Sequence, residues 1–259
     1  MTGTLHAMAS SGGTVVCRAL ATHQKVLVLS EVSPGARRRI RFVPDTPLAS
    51  LMASPLLAAE EREDLFLQQM AKIAELSREK GWELLIRDHP HSDFMQGDEP
   101  SAHSSLVRVM GDSLGARCIL VRHPLDSFLS SRASVYLSRR VNNLEGYCRR
   151  LLQFDEIHRD LPRFTYEDFC ADPEDFLPRL AERLGLPFEN DWRARLADVK
   201  LSGNSGRSGD VVTTRSRRRV PHDVSRSLRS SPAFAELCRR WGYNDNSARW
   251  ERRLLGRSQ

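Results

Sequence analysis

Short apolar runs that alternate with longer amphipathic stretches constrain the fold of this chain more than any other feature. Residues 26–29 and 118–121 are continuous aliphatic runs, typical of strands that are buried on both faces. Between them, residues 60–80 carry apolar side chains at helical spacing and end at Gly81. Strands separated by helices of this length indicate βαβ units, and therefore a mostly parallel sheet.

The rest of the chain continues this alternation. A short apolar run at residues 5–9 opens it, and two more strands and three more helices follow from the same patterns. These are predicted strands at residues 84–86 and 164–166, and predicted helices at residues 15–21, 142–159 and 173–184. We therefore predict an α/β protein with three layers, α/β/α, around a central mostly parallel sheet.

The length of 259 residues, without a low-complexity linker, predicts one domain over residues 1–259. Hydrophobic residues make up 40% of the chain and charged residues 28%, an ordinary composition for a globular protein. Residues 31–58 differ from the rest, because they combine prolines and a run of arginines with no clean periodicity. We interpret them as a lid or acceptor-binding loop.

The charge of the chain suits an anionic partner. Lys and Arg number 39 against 33 Asp and Glu, a formal net charge of +6, and arginines are concentrated in residues 215–229. Such an excess favours a nucleotide, an acidic glycan or nucleic acid, although a run of this kind is equally typical of a solvated basic face.

Cysteine usage and hydropathy bear on the compartment. The five cysteines are scattered, odd in number and without CxxC spacing, which indicates reduced thiols of a cytoplasmic protein and no zinc site. No apolar run reaches the length of a membrane span, and no signal sequence opens the chain. We therefore expect a cytoplasmic location and no membrane span.

A serine- and glycine-rich segment lies between the first predicted strand and the first predicted helix. It consists of Ser10, Ser11, Gly12, Gly13 and Thr14, with Val15 at the start of the helix. Glycines let a backbone approach phosphate closely, and the helix N-terminus adds partial positive charge. The spacing is not that of a Walker A loop and no lysine precedes Thr14, which counts against phosphoryl transfer from ATP or GTP. Taken alone, the segment is also consistent with an ordinary turn.

Arg122 and Ser130 form a second candidate phosphate site. Arg122 ends a predicted strand, at the edge where open α/β sheets bind ligands. Pro124 can start the following helix, which would place Ser130 about two turns inside it. A guanidinium and a hydroxyl so placed can hold one phosphate from two sides. The structural alternative is an arginine paired with a surface carboxylate.

These two elements resemble the 5′- and 3′-phosphosulfate-binding motifs of sulfotransferases that use PAPS, 3′-phosphoadenosine-5′-phosphosulfate. Two later stretches are also similar to motifs of that family. Residues 166–173, YEDFCADP, resemble its "YEDL…DP" segment, and residues 202–207, SGNSGR, resemble its late "GN…R" loop. The motifs follow one another in the family's order over most of the chain, and the serine-glycine loop is most similar to that of bacterial members.

The resemblance implies a P-loop NTPase-like sulfotransferase fold, PAPS as the sulfuryl donor, PAP as the product and no metal. It implies that the first loop, Arg122 and Ser130 bind the nucleotide, together with the late loop and an arginine after it. The residues concerned in this last group are Ser205, Gly206, Arg207 and Arg217. Contacts to the 3′-phosphate would distinguish PAPS from ATP, which lacks that group.

The resemblance also suggests a general base. The family has a histidine after its third strand in a Lys-x-His pattern, and here Arg87-Asp88-His89 matches that pattern. We predict that His89 removes the acceptor's proton, with Arg87 beside it in the catalytic site, during in-line displacement at sulfur. His91 is the competing base, and a loop histidine without a catalytic role is the structural alternative.

One departure from the family concerns the first loop, where many members have a lysine that contacts the leaving group. Ser10 occupies that position here. Arg18, Arg87 or the arginines around Arg217 are the alternatives for the missing charge.

Two other functions compete with this interpretation. A P-loop kinase would need a loop lysine and a Mg²⁺ site. A non-catalytic module for acidic polymers could use the late arginines, but no nucleic-acid-binding motif is present and nucleic acid is not expected as a partner. The acceptor is expected to be a small molecule or a carbohydrate, bound in part by residues 31–58.

Overall fold

Five strands form one sheet in the computed structural model, which describes residues 2–34, 51, 57–133, 141, 143–201, 212 and 218–244. The strands are β1 (Thr2–Ala7), β2 (Val26–Val32), β3 (Glu83–Asp88), β4 (Ala116–Val121) and β5 (Arg163–Thr165). Their order in the sheet is β2-β3-β1-β4-β5, and every neighbouring pair is parallel. The predicted α/β fold with a parallel sheet is confirmed.

Eleven α-helices lie in the described part of the chain. They are α1 (Gly13–Leu20), α2 (Ala59–Glu79), α3 (His91–Phe94), α4 (Ser105–Met110), α5 (Pro124–Ala133), α6 (Leu144–Ile157), α7 (Tyr166–Ala171), α8 (Pro173–Leu184), α9 (Trp192–Arg195), α10 (His222–Ser230) and α11 (Pro232–Trp241). The predicted helix at residues 173–184 is confirmed with both its bounds, and the other predicted helices are confirmed to within two residues.

The C-terminal end of the last predicted strand is wrong by one residue. We predicted a strand over residues 164–166, but Tyr166 is the first residue of α7. The side chain of Thr165 accepts a hydrogen bond from the backbone N–H of Asp168, at 3.1 Å, and so caps that helix. A threonine that is acceptable in a strand is also a good N-cap, and the cap decides the boundary here.

Helices cover both faces of the sheet, because alternate side chains of each strand point to opposite faces. Leu5, Leu85 and Leu120 share a core with α1 and α8. On the other face, Ile119 and Val121 pack with α5, α6 and α11. The predicted three-layer arrangement follows from these two cores.

Between β3 and β4 the chain crosses from one side of β1 to the other, so the order of the strands changes direction beside β1. β1 pairs with β3 on one side and with β4 on the other. The carboxyl ends of the three strands therefore meet at one edge beside a switch in strand order, where open α/β sheets bind ligands.

Two further features concern the surface and the thiols. None of the helices in the described ranges is long and apolar enough to cross a bilayer. All five cysteines are buried, and they are thiols that form no disulfide with one another.

Candidate active site

The loop between β1 and α1 is a tight turn that ends at the helix N-terminus. The backbone of Ser10 has φ of 68° and that of Gly12 has φ of 92°, both in the left-handed region. Ser11 closes the turn, because its hydroxyl donates to the carbonyl of Met8 at 2.7 Å. No side chain caps α1 and no acidic residue lies in its first turn. Within the described residues of α1, nothing compensates the positive end of the helix dipole, which suits an anionic group.

The two glycines of this loop are required by close neighbours. A Cβ at Gly12 would lie 2.1 Å from the ring of Tyr166. A Cβ at Gly13 would lie 2.9 Å from that of Ala7 and 3.4 Å from Cδ of Arg87. Tyr166 and Arg87 can thus approach the loop only because these positions lack side chains.

Arg87 reaches the loop from β3. Its Nη1 donates to the hydroxyl of Thr14 at 2.7 Å, and its Nε donates to the hydroxyl of Ser30 at 2.9 Å. Its Nη2 lies 2.8 Å from the carboxylate of Glu31. The guanidinium is nearly buried and is held beside the start of α1 by three residues. Of Arg87 and Arg18, the two alternatives for the missing lysine that the structure describes by name, only Arg87 lies at the loop.

Of the other two alternatives, Arg18 is described and does not lie at the loop. Arg18 lies in the last turn of α1 and donates to the carbonyls of Leu196 and Val199, at 2.6 and 2.9 Å. Its guanidinium therefore serves the packing of the far end of α1. Arg217 lies outside the described residues.

Arg122 reaches the same loop from β4. Its Nη1 donates to the carbonyl of Ser10 at 3.1 Å, and its guanidinium carbon lies 5.1 Å from the centre of the Tyr166 ring. The side chain is half-buried. Strands β3 and β4 thus each bring one arginine to the loop between them. Pro124 starts α5 as expected, and Ser130 is half-buried on that helix, about two turns from its start.

His89 follows β3 directly and has a fixed backbone. Its N–H donates to the carbonyl of Val32 at 2.9 Å, and its carbonyl accepts from the hydroxyl of Ser92 at 2.9 Å. Burial and the neighbouring charge of Arg87 lower the pKa of His89 to about 4. The imidazole is therefore neutral near pH 7 and has a lone pair for a proton.

His91, the competing base, is placed differently. It opens α3, its ring centre lies 6.0 Å from that of His89, and it is buried whereas His89 is only partly so. An acceptor can approach His89 more easily.

Glu31 is a site residue that sequence reasoning missed. The sequence places Glu31 at the start of the predicted loop of residues 31–58, but it belongs to β2, where the register shifts between Ser30 and Val32. Its φ of 61° turns its carboxylate to Arg87. The usable signal was an acidic residue at the end of an apolar strand, where the open edge of the sheet is expected.

The segment that resembles "YEDL…DP" acts structurally in part. One carboxylate oxygen of Glu167 accepts from the backbone N–H of His123 at 3.0 Å, and the other accepts from the hydroxyl of Tyr243 at 2.5 Å. Burial and Glu167 raise the pKa of Tyr243. Glu167 therefore ties the turn that follows Arg122 to the residues after α11.

Several predicted binding residues fall on parts of the chain that are not described. These are Ser205, Gly206, Arg207 and Arg217 of the late loop, and most of residues 31–58.

A second polar cluster was also missed by sequence reasoning. His6, Asp88 and His158 are buried together, and one donor atom from each lies within 4.8 Å of the others. They are far apart in the chain, and the only sequence signal was a polar residue in each of two apolar strands. These residues are of the types that ligate transition metals.

Comparison with solved structures identifies the fold. The sulfotransferase domain from the curacin biosynthetic pathway is 15% identical, with a TM-score of 0.53 over 94% of this chain and 99% of that one. The sulfotransferase domain of the Synechococcus PCC 7002 olefin synthase is 16% identical, with a TM-score of 0.51 over 94% and 96%. No family model and no curated protein matches the chain. The chain has the fold of these sulfotransferase domains, which confirms the fold that the sequence motifs implied.

Proposed function

We propose that this chain, which has a sulfotransferase fold, transfers a sulfuryl group from PAPS to a hydroxyl or amine and releases PAP. The observation that carries the proposal is the convergence of Arg87 and Arg122 on the loop at the start of α1. Two guanidinium groups and a helix N-terminus around one turn form a strong anion site.

The nucleotide would span this edge of the sheet. We propose that the loop and the first turn of α1 bind the 5′-phosphosulfate through backbone N–H groups, with Arg87 supplying the charge that a loop lysine supplies elsewhere. Arg122 would hold the 3′-phosphate, with Ser130 on the adjacent helix. The proposed nucleotide-binding residues are Ser10, Ser11, Gly12, Gly13, Thr14, Val15, Arg122, Ser130, Ser205, Gly206, Arg207 and Arg217.

The contact between Arg87 and Thr14 disfavours a kinase. In P-loop kinases the hydroxyl at this point of the loop binds Mg²⁺. Here that hydroxyl accepts a hydrogen bond from a guanidinium at 2.7 Å, so a divalent cation would face a positive charge. A donor that needs no Mg²⁺ fits this arrangement better.

The proposed reaction is one in-line displacement. The acceptor oxygen or nitrogen attacks sulfur and forms a new bond to it while its proton passes to His89. The bond between sulfur and the bridging phosphate oxygen breaks, and its electron pair leaves on the phosphate of PAP. Arg87 would stabilise the charge that develops on that oxygen.

His89 fits the role of base through its charge state. With a pKa lowered to about 4, it enters the reaction unprotonated. An anionic donor bound beside it would stabilise the imidazolium, so its basicity would rise when PAPS is present. Glu31, which forms an ion pair with Arg87, moderates the positive charge near His89.

Calorimetric titration with PAP, AMP and ATP plus Mg²⁺ tests the nucleotide. We expect PAP to bind more tightly than AMP, because only PAP has the 3′-phosphate. As a control, an Arg18→Ala variant should bind PAP as tightly as the wild type does. That arginine lies at the far end of α1 and does not contact the loop. Equal affinity for PAP and AMP, or binding of ATP alone, would overturn PAPS as the donor.

Labelled PAPS tests the transfer itself. Incubation with panels of small-molecule hydroxyls, amines and carbohydrates should label at least one class. If PAP binds but no acceptor from any panel is labelled above a His89→Ala control, transferase activity is contradicted while nucleotide binding stands.

We also propose that residues 1–259 form one domain that works in the cytoplasm. The five buried thiols, which form no disulfide with one another, support a reducing compartment.

A further inference from the structure

Three polar residues are buried on the face of the sheet opposite α1. His6 on β1 and Asp88 on β3 belong to the alternate set of positions from Leu5 and Arg87, which face α1. His158 follows α6 and its ring centre lies 4.5 Å from that of His6. The exposed fractions are 0% for His6, 3% for Asp88 and 2% for His158. Burying three such groups together is costly unless their polar atoms are satisfied.

The hydrogen bonds fix the protons of both imidazoles. Nδ1 of His158 lies 2.9 Å from the carbonyl of Phe154, which only accepts, so this nitrogen carries the proton. Nδ1 of His6 lies 2.7 Å from Oδ2 of Asp88, and it donates to that oxygen when the carboxyl is ionised. In both rings Nε2 is then the atom with the lone pair.

These two lone pairs have no partner in the described part of the chain. Nε2 of His6 and Nε2 of His158 are both buried without a hydrogen-bond partner there. Phe94 and Phe154 pack on the ring of His158, with ring centres 6.3 and 4.6 Å away, so the surroundings are apolar. His158, which donates Nδ1–H to a carbonyl and leaves Nε2 without a partner there, has the arrangement of a metal ligand.

We propose that Nε2 of His158, Nδ1 of His6 and Oδ2 of Asp88 bind one divalent transition-metal ion, with Zn²⁺ as the expected occupant. The proton that lies between His6 and Asp88 would pass to Nε2 of His6, and the ion would take its place. Two imidazoles and a carboxylate are a donor set that suits zinc and its neighbours in the first row. The proposal is independent of the proposed sulfuryl transfer, because the cluster lies on the other face of the sheet from the loop.

The spacing is compatible with such an ion. Zinc bonds of about 2.0–2.1 Å in a tetrahedral site place donor atoms about 3.3 Å apart. The donors here lie within 4.8 Å of one another, and the closest pair, Nδ1 of His6 and Oδ2 of Asp88, is 2.7 Å apart. Each pair therefore needs to change its separation by no more than about 1.5 Å. Arg117, whose charge acts on both imidazoles, opposes a cation, and the carboxylate of Asp88 offsets that repulsion.

The ion would hold three elements together. Its ligands come from β1, β3 and the end of α6, and Asp88 directly precedes the proposed base. The expected role is structural: the ion would fix the ends of two central strands relative to α6.

The test uses the full chain, stripped with a chelator and titrated with Zn²⁺. We expect one equivalent to bind and the melting temperature to rise by on the order of 5 °C at saturating Zn²⁺. His6→Gln and His158→Gln should each abolish both effects. His103→Gln, which removes an exposed histidine, should leave both unchanged.

The wild-type protein alone can also decide the question if the variants fail to fold. Co²⁺ in a four-coordinate site with nitrogen and oxygen donors gives intense visible bands, whereas six-coordinate surface binding gives weak ones. Intense bands that Zn²⁺ abolishes support the site. Weak bands only, no bound equivalent, or metal binding that survives in a folded His158→Gln variant would overturn it.

Discussion

Two clusters of polar residues lie on opposite faces of the same strands, and they handle charge in opposite ways. On the face of α1, Arg87 is nearly buried but keeps its charge, because Thr14 and Glu31 contact its guanidinium. On the other face, burial lowers the pKa of His6 to about 3 and that of His158 to about 4, so both imidazoles are neutral. The first cluster is suited to bind an anion, and the second offers lone pairs to a cation.

The alternation of side chains along β3 produces this division. Arg87 and Asp88 are consecutive, and the pleat sends them to opposite faces. Two sites of opposite preference can therefore share one strand end without neutralising each other. The comparison predicts that damage to one cluster leaves the other intact.

The largest effect should come from His89. We expect His89→Ala to lower turnover of PAPS by about 10²–10⁴-fold, because the acceptor would lose its general base. PAP affinity should change little, since no phosphate contact is removed. Initial rates with labelled PAPS and calorimetry with PAP measure the two quantities, with His103→Ala as control. If the variant kept full turnover, His89 would not be the general base. The proposal that this edge of the sheet is the active site would then be weaker.

Arg87 should dominate the stability of the anion-binding face. Arg87→Met would leave the carboxylate of Glu31 without its cation, and we expect a loss of about 3 kcal/mol in the free energy of unfolding. The double variant with Glu31→Gln should recover part of that loss, because the unpaired charge is removed as well. Urea unfolding of the wild type and the three variants gives the coupling energy. Simple additivity of the two changes would show that the pair does not act as a unit.

Arg122 should affect nucleotide binding more than stability. We expect Arg122→Ala to weaken PAP binding by about 2 kcal/mol or more, which is about 30-fold, through loss of a charge-assisted contact. Arg132→Ala is the matched control, because that arginine lies on α5 and pairs with the exposed Asp223. Affinity for PAP equal to that of the wild type would remove Arg122 from the nucleotide site.

Much of the anion-binding face could be predicted from sequence, because its signals are local. Continuous apolar runs indicate buried parallel strands, and a glycine-rich turn between a strand and a helix indicates a phosphate loop. The placement of Arg122 at the loop follows from its position at the end of a strand next to β1.

The other residues depend on register and on contacts that the sequence does not display. Glu31 reaches Arg87 only because β2 is irregular between Ser30 and Val32. His6 and His158 are 152 positions apart in the chain, and only the packing of α6 on the sheet brings them together. Long-range pairs of this kind leave no periodic trace in the chain.

The smallest expected effect concerns the pH dependence of stability. The pKa of His89 falls from 6.5 in the unfolded chain to about 4 in the folded protein, mainly through burial. A group with a lowered folded pKa contributes stability above the unfolded value, and that contribution is lost as the pH falls from 6.5 towards 4. His89→Gln should therefore lose less stability than the wild type over this interval, by no more than about 1.4 kcal/mol per pH unit.

Urea unfolding at pH 7 and at pH 4.5 measures this difference. His6 and His158 also have lowered pKa values, but they are present in both proteins, so their contributions cancel when the variant is subtracted from the wild type. Parallel pH profiles for the two proteins would mean that His89 is as exposed in the folded chain as in the unfolded one. The burial that keeps the proposed base neutral would then be absent, and the two faces would no longer differ at this residue in the way their contacts indicate.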